Sequence, residues 1–240
     1  MAIYVCSDIH GLREKYDALL ENIGLDQDTL IILGDVIDRG PDGYSILKDV
    51  LQRENVHLLM GNHEYMMLEL LEEYHGKIPN DIHVLNWILN GGAPTMAAYN
   101  KADAREQSFI LHSLQKLPFA YTNFKVNERT FYLCHTAPGK AKRKNILYRE
   151  DIIDPLHFVW DRMDPNGPFF RNKTIIAGHT IVLNYHPDLQ VYSDTGDLKK
   201  GALYRYRLWL CHAGRKKQVS LFMLRYDGSL LLLVCAINND

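Results

Sequence analysis

Five short apolar runs in this 240-residue chain each stop on a side chain that can hold a metal ion or move a proton. Residues 2–6 run into Ser7-Asp8-Ile9-His10-Gly11, and residues 30–33 into Gly34-Asp35-Val36-Ile37-Asp38-Arg39-Gly40. Residues 56–60 run into Gly61-Asn62-His63-Glu64, residues 131–134 into His135, and residues 174–177 into Gly178-His179-Thr180. Runs this short, bounded by glycine and polar residues, read as buried strands rather than helices. In an open α/β sheet the residues just past the carboxyl ends of the strands face one crevice. Asp8, His10, Asp35, Asn62, His135 and His179 can therefore meet although they are far apart in sequence, and their number and type predict a two-metal site.

Between the runs the apolar period lengthens. Residues 12–23 put Leu12, Tyr16, Leu19, Leu20 and Ile23 on one stripe, and residues 44–52 and 64–74 read as further helices. Such alternation implies parallel strands joined by right-handed crossovers. Residues 81–117 carry no strand signal and predict two or three helices, interrupted at Gly91-Gly92-Ala93-Pro94. After Pro118 the pattern turns to β. Residues 119–126 and 130–134 predict a hairpin around Asn127-Glu128, with later strands near Ile175, Val191, Leu203, Leu221 and Leu231. The sum is one domain over residues 1–240 with a helical segment at about 81–117. Two sheets pack face to face in it, with helices outside.

A formal net charge of -2 gives no pull toward nucleic acid or anionic membrane. The longest apolar stretch, residues 230–237, is far short of the ~20 residues a membrane helix needs. No charged n-region with an apolar core opens the chain, so no secretion signal is expected. Cys6, Cys134, Cys211 and Cys235 form no C-x-x-C pair. They predict four buried thiols in a reducing, cytoplasmic setting and oppose a thiolate zinc site.

The motifs differ in weight. Asp8-Ile9-His10 alone is a string that chance produces, and Asp8 could simply cap a helix. The segment from Gly34 to Gly40 is far more specific. Asp35 can offer one carboxylate oxygen to each of two cations, Gly34 permits close backbone approach, and Arg39 is a planar cation suited to phosphate. Asn62 is a neutral oxygen ligand or, on the bland reading, the cap of the next helix. His63, set beside the metals with Asp38 as its partner, suits a general acid. A single histidine after a strand is usually structural; His135 and His179, both placed after strands that follow two carboxylate motifs, read as ligands. The other histidines lack that placement. Oxygen and imidazole donors suit manganese first, with iron, zinc or cobalt as alternatives. A shared carboxylate holds two ions about 3.5–4 Å apart, the clamp used for in-line displacement at phosphorus by a metal-activated hydroxide.

On these five motifs, spanning Asp8 to Thr180, the chain resembles the calcineurin-like metallophosphoesterases, within them the phosphoprotein phosphatase branch with the bacterial and phage lambda serine/threonine phosphatases. The resemblance implies an αββα four-layer sandwich of two mixed sheets flanked by helices. It implies one metal on Asp8, His10 and Asp35 and a second on Asp35, Asn62, His135 and His179. It also implies His63 as acid supported by Asp38, and Arg39, Arg162 and Asn62 on the substrate phosphate, Arg162 by the likeness of Trp160-Asp161-Arg162 to a Trp-x-Arg segment of bacterial members. The Cys134-His135-Thr136-Ala137-Pro138 motif departs from the His-Gly-Gly of eukaryotic members and fits the bacterial side. Asp194-Thr195-Gly196 resembles a late family segment.

The first expectation is a metal-dependent phosphomonoesterase, a serine/threonine protein phosphatase, acting on phosphorylated protein or a small phosphorylated substrate. The alternative is a dinucleoside polyphosphate hydrolase like the symmetrical tetraphosphatases. Lys140, Lys142, Arg143 and Lys144 could hold a polyanionic tail, or form an ordinary solvated loop. A non-catalytic scaffold of this fold is opposed by the retention of Asp38, Arg39 and His63. A nuclease is opposed by the lack of a basic stripe, and neither nucleic acid nor membrane is expected as a partner.

Overall fold

A computed structural model describes residues 3–23, 28–73, 81–126, 129–136, 138–162, 173–179, 219–226 and 230–237. In chain order the elements are β1 Ile3–Cys6, α1 Arg13–Asn22, β2 Thr29–Ile32, α2 Gly43–Gln52, β3 Val56–Leu58 and α3 Asn62–Glu73. They continue as α4 Asp81–Leu89, α5 Ala93–Tyr99, α6 Ala104–Gln115, β4 Ala120–Val126 and β5 Arg129–Cys134. The last are β6 Ile146–Leu147, a 3-10 turn at Arg149–Asp151, α7 Pro155–Trp160, β7 Thr174–Ile176, β8 Val219–Tyr226 and β9 Leu230–Ile237.

Alternation within the first strands sorts the two faces of a sheet. Val5, Ile31, Leu33 and Leu59 turn one way and meet Phe131, Leu133 and Ile176 in a closed apolar layer. Tyr4, Cys6, Leu30 and Ile32 turn the other way and share a cluster with Tyr16, Leu19, Ile46, Leu47 and Val50 of α1 and α2. The alternate residues Tyr132, Cys134 and Ile175 likewise leave the inter-sheet layer, for a cluster containing Phe158 of α7. Both faces of β1 and β2, and of β5 and β7, are thus covered, in the expected αββα order of layers.

The first sheet runs β3-β2-β1-β9-β8 and the second β6-β4-β5-β7. β1 pairs parallel with β2 and β9, β2 parallel with β3, and β8 antiparallel with β9. In the second sheet β4 is antiparallel to β5 and β6, while β5 and β7 run parallel. Both sheets are therefore mixed. The last 36 residues, for which the sequence offered no functional feature, contribute β8 and β9 to the edge of the first sheet. The strands expected near Val191 and Leu203, and the Asp194-Thr195-Gly196 segment, lie outside the described residues.

Residues 81–117 form the three helices α4, α5 and α6, as their missing strand signal predicts. One boundary shifts in an informative way. The apolar period places the third helix at 64–74, but α3 begins at Asn62. The two polar residues before the period are already helical, so Asn62 and His63 sit in its first turn. Cys6 and Cys134 are buried free thiols. No helix among the described residues is long and apolar enough to cross a membrane.

Candidate metal centre

The turns after β1 and β2 are laced together by main-chain hydrogen bonds. Asp8 N–H donates to Gly34 O (3.0 Å), His10 N–H to Asp35 O (2.9 Å) and Gly11 N–H to Val36 O (2.9 Å). Among the described residues six non-glycine residues have positive φ: Asp8 (57°), His10 (47°), Asp35 (58°), Asp38 (70°), Arg39 (64°) and His179 (63°). All six are candidate site residues. Left-handed backbone costs a side-chain-bearing residue about 1–2 kcal/mol, and such strain concentrates where geometry is imposed from outside. Close approach needs glycine here too: a Cβ on Gly34 (φ +104°) would lie 2.5 Å from Gly61 Cα, and one on Gly61 2.3 Å from Asp35 Oδ1.

Asp35 stands at the centre and is buried. Its Oδ2 is 3.6 Å from His10 Nε2, and its Oδ1 is 3.5 Å from His135 Nε2. The two oxygens thus face different histidines. His10 Nδ1 lies 3.0 Å from Ile37 O and His135 Nδ1 2.7 Å from Leu33 O. A carbonyl only accepts, so each Nδ1 donates to it, and in the neutral, metal-binding form each ring would turn its Nε2 lone pair inward. His135 Nε2 is then aimed at Asn62 Oδ1 (3.0 Å) as well as at Asp35. Lone pairs of three groups converge there, an arrangement that a cation relieves. The donor set therefore fits a metal ion on physical grounds.

Asn62 resolves as more than a cap. Tyr65 N–H donates to Gly61 O (3.0 Å), so Gly61 supplies the first helical acceptor of α3. Asn62 Oδ1 instead lies 3.0 Å from His135 Nε2 and 3.0 Å from His179 Nδ1. Asp8 Oδ1 is 3.9 Å from His10 Nε2, while its Oδ2 accepts from His179 N–H at 3.0 Å. Among the described residues, two groups of three side chains bring ligand atoms within 4.8 Å of one another: His10 with Asp35 and His63, and Asp35 with His135 and His179. His63 fits the first group by distance only. Its Nδ1 is 2.7 Å from Asp38 Oδ2 and its Nε2 3.1 Å from Arg39 Nη2, so both nitrogens are engaged.

Burial and charge set the protonation of these groups. Burial pushes the His10 imidazole well below its ordinary range, and burial with His135 brings His179 down to about 3. Neutral imidazole is the form that ligates metal. Burial raises the Asp35 carboxyl, but His135, His63 and His10 outweigh it and hold it well below the usual carboxylate range. For His63 burial acts downward, and the Asp35 and Asp38 carboxylates reverse it to a net rise.

Arg39 is exposed and reaches inward with its guanidinium. Arg162 is also exposed; its charge is near enough to lower the His179 imidazole. The basic loop is partly neutralised: Lys144 Nζ lies 2.7 Å and Lys142 Nζ 3.8 Å from the buried Asp151 Oδ1. For those two lysines a structural role accounts for the charge.

Two groups escaped the sequence reading. Glu64 is fully buried, and its carboxylate accepts N–H bonds from Asp35 (2.7 Å), Val36 (2.8 Å), Ile37 (3.4 Å) and Gly61 (3.2 Å). Its place in the first turn of a helix reads as ordinary dipole compensation, which conceals the role. Trp87 Nε1–H donates to Asp38 Oδ2 at 2.7 Å. Nothing in its helical spacing marks it as other than core.

A family model described as calcineurin-like phosphoesterase matches residues 1–195, and the chain belongs to that family. The chain is similar to a protein of Chromobacterium violaceum named bis(5'-nucleosyl)-tetraphosphatase, symmetrical. The two are 38% identical over 84 residues, 34% of this chain and 30% of that protein. A protein of the same name from Buchnera aphidicola is 29% identical over 127 residues, 47% of this chain and 44% of that protein. The chain spans less than half the length of these relatives. A solved serine/threonine phosphatase of Saccharomyces cerevisiae aligns with TM-score 0.49 and 16% identity, covering 76% of this chain and 65% of that one. A metallophosphoesterase of Sphaerobacter thermophilus aligns with TM-score 0.45 and 18% identity, covering 75% and 60%.

Replacing Glu64 by glutamine puts an amide N–H₂ against inward-pointing main-chain donors. Glu64→Gln is expected to cost about 2–3 kcal/mol of stability, read from denaturant unfolding of the metal-stripped protein. An unchanged midpoint would show that the four N–H bonds do not hold the turn.

Proposed function

We propose that this chain is a metal-dependent hydrolase of dinucleoside polyphosphates, with Asp35 shared between two divalent ions. The observation that carries the two-ion reading is the division of one buried carboxylate, Oδ2 toward His10 and Oδ1 toward His135. The names of the similar curated proteins support the dinucleotide over the phosphoprotein as substrate class. One ion is assigned to Asp8, His10 and Asp35, the other to Asp35, Asn62, His135 and His179. Divalent ions there would supply Lewis acidity, activating water and offsetting charge on the phosphoryl group.

The side chains around the ions have their own work. Arg39 offers a planar pair of donors to phosphoryl oxygens, and Arg162 adds a second cation on the rim beside His179. A guanidinium only donates, so Arg39 Nη2 at 3.1 Å from His63 Nε2 takes up that ring's lone pair. An anionic phosphoryl oxygen is the stronger acceptor and draws Arg39 away. His63 Nε2 can then take up a proton from solvent and pass it to the leaving oxygen, while Asp38 fixes the ring through Nδ1. Substrate binding and readiness of the acid are thereby linked.

Asp35→Asn is expected to abolish stoichiometric binding of both ions, measured by elemental analysis after manganese reconstitution; two retained equivalents would contradict a shared carboxylate. The substrate class is tested by giving reconstituted protein diadenosine tetraphosphate and a phosphoserine peptide. The dinucleotide is expected to be split into two nucleoside diphosphates with kcat/KM at least about 100-fold higher. Exclusive turnover of the peptide would return the reading to a protein phosphatase. His63→Asn is expected to slow phenyl phosphate about 100-fold and p-nitrophenyl phosphate less than about tenfold, because the latter leaving group needs no proton. Equal losses on the two aryl phosphates would remove His63 from the acid role.

A further inference from the structure

The Asp38–Arg39 pair is gripped by a part of the chain that contains none of the five motifs. Trp87 of α4 is fully buried, and its indole N–H donates to Asp38 Oδ2, the same oxygen that takes His63 Nδ1. The two donors lie at 2.7 Å each, so one carboxylate oxygen fixes both rings. The turn between α4 and α5, and Thr95 in the first turn of α5, each accept a hydrogen bond from the main chain of this pair. Arg39 N–H donates to Gly91 O at 2.9 Å, and Asp38 N–H donates to Thr95 Oγ1 at 3.0 Å. Asp38 and Arg39 both have positive φ, so their backbone needs such outside support.

The indole itself has little freedom. A Cβ on Gly92 would lie 2.6 Å from both Cδ1 and Nε1 of Trp87, so the Gly92 backbone is pressed against the edge that carries the N–H. A ring packed this way cannot swing its donor off Asp38 without opening the α4–α5 turn. A carboxylate with one partner can rotate about its last torsion; with His63 and Trp87 on one oxygen it cannot turn without losing a buried hydrogen bond.

We propose that Trp87 is a positioning residue for the reaction: it orients Asp38, and through Asp38 the His63 ring, so that Nε2 meets the leaving oxygen. The helical segment is then part of the acid's scaffold as well as of the core. This rests on the reading of His63 as general acid.

The test is a double-substitution cycle in the manganese-reconstituted full chain, read on phenyl phosphate and p-nitrophenyl phosphate. Trp87→Phe keeps an aromatic ring and removes the donor. Its kcat on phenyl phosphate is expected to fall about five- to tenfold, the value of one lost buried hydrogen bond, with KM unchanged and p-nitrophenyl phosphate less than about twofold slower. In the His63→Asn background Trp87→Phe is expected to cause no further loss. Replacing Trp87 by β-(3-benzothienyl)alanine exchanges only the N–H for sulfur, and is expected to give the same pattern where Trp87→Phe fails to fold. If His63→Asn itself slows both substrates equally, the acid reading falls and this one with it. If His63→Asn shows the asymmetry, but either Trp87 variant slows both substrates alike or adds its loss in full to that of His63→Asn, the positioning role alone is overturned.

Discussion

Glu64 lies buried beneath the turn that follows β2, and four main-chain N–H groups point at its two oxygens. Three of those donors belong to Asp35, Val36 and Ile37, which cannot join a helix or a sheet because the backbone there turns left-handed at Asp35. Buried donors without acceptors would cost more than the turn could bear. One carboxylate therefore makes the conformation affordable. It also binds Gly61, so the turns after β2 and β3 are registered on the same group. Burial, followed by the nearby Asp35 charge, raises the Glu64 carboxyl to about 7. The N–H groups of Asp35 and Val36 act in the opposite direction and hold back part of that rise.

What the chain disclosed from its letters was the part that depends on residue type at strand ends. Asp8, His10, Asp35, Asn62, His135 and His179 stand out because aspartate, asparagine and histidine are unusual directly after apolar runs. The αββα layering follows from those runs and their alternation. The groups that hold the ligands in place were hidden. Glu64 looks like a helix-dipole residue, and Trp87 looks like a core tryptophan; both roles depend on a partner distant in sequence, Asp35 at 29 residues from Glu64 and Asp38 at 49 from Trp87. Asn62 carried two readings with identical local signatures, and only the position of Oδ1 between His135 and His179 separates them. Lys142 and Lys144 likewise carried two readings, a polyanion site or an ordinary basic loop, and Asp151 lies inside their reach.

The two sheets divide the labour. The first delivers Asp8 and His10 from β1, Asp35, Asp38 and Arg39 from β2, and Asn62 and His63 from β3. The second delivers His135 from β5 and His179 from β7. Neither sheet carries a full set of donors, and the apolar layer of Val5, Ile31, Leu33, Leu59, Phe131, Leu133 and Ile176 sets their separation. Packing in that layer is thus the ruler for the distance between histidines contributed by opposite sheets. A change in its volume acts on the centre without touching any polar group.

His179 N–H binds Asp8 Oδ2 at a sequence separation of 171, and a Cβ on Gly178 would collide with Ser7 Oγ at 2.0 Å. The turns that follow β1 and β7 are in van der Waals contact. A ribosome making this protein exposes Asp8 and His10 early, and these stay without their last companion until β7 has emerged and docked beside β5. Closure over that span is entropically slow compared with local hairpins. His179 is accordingly the last of the six candidate side chains to arrive, and β9 has still to dock beside β1 when it does.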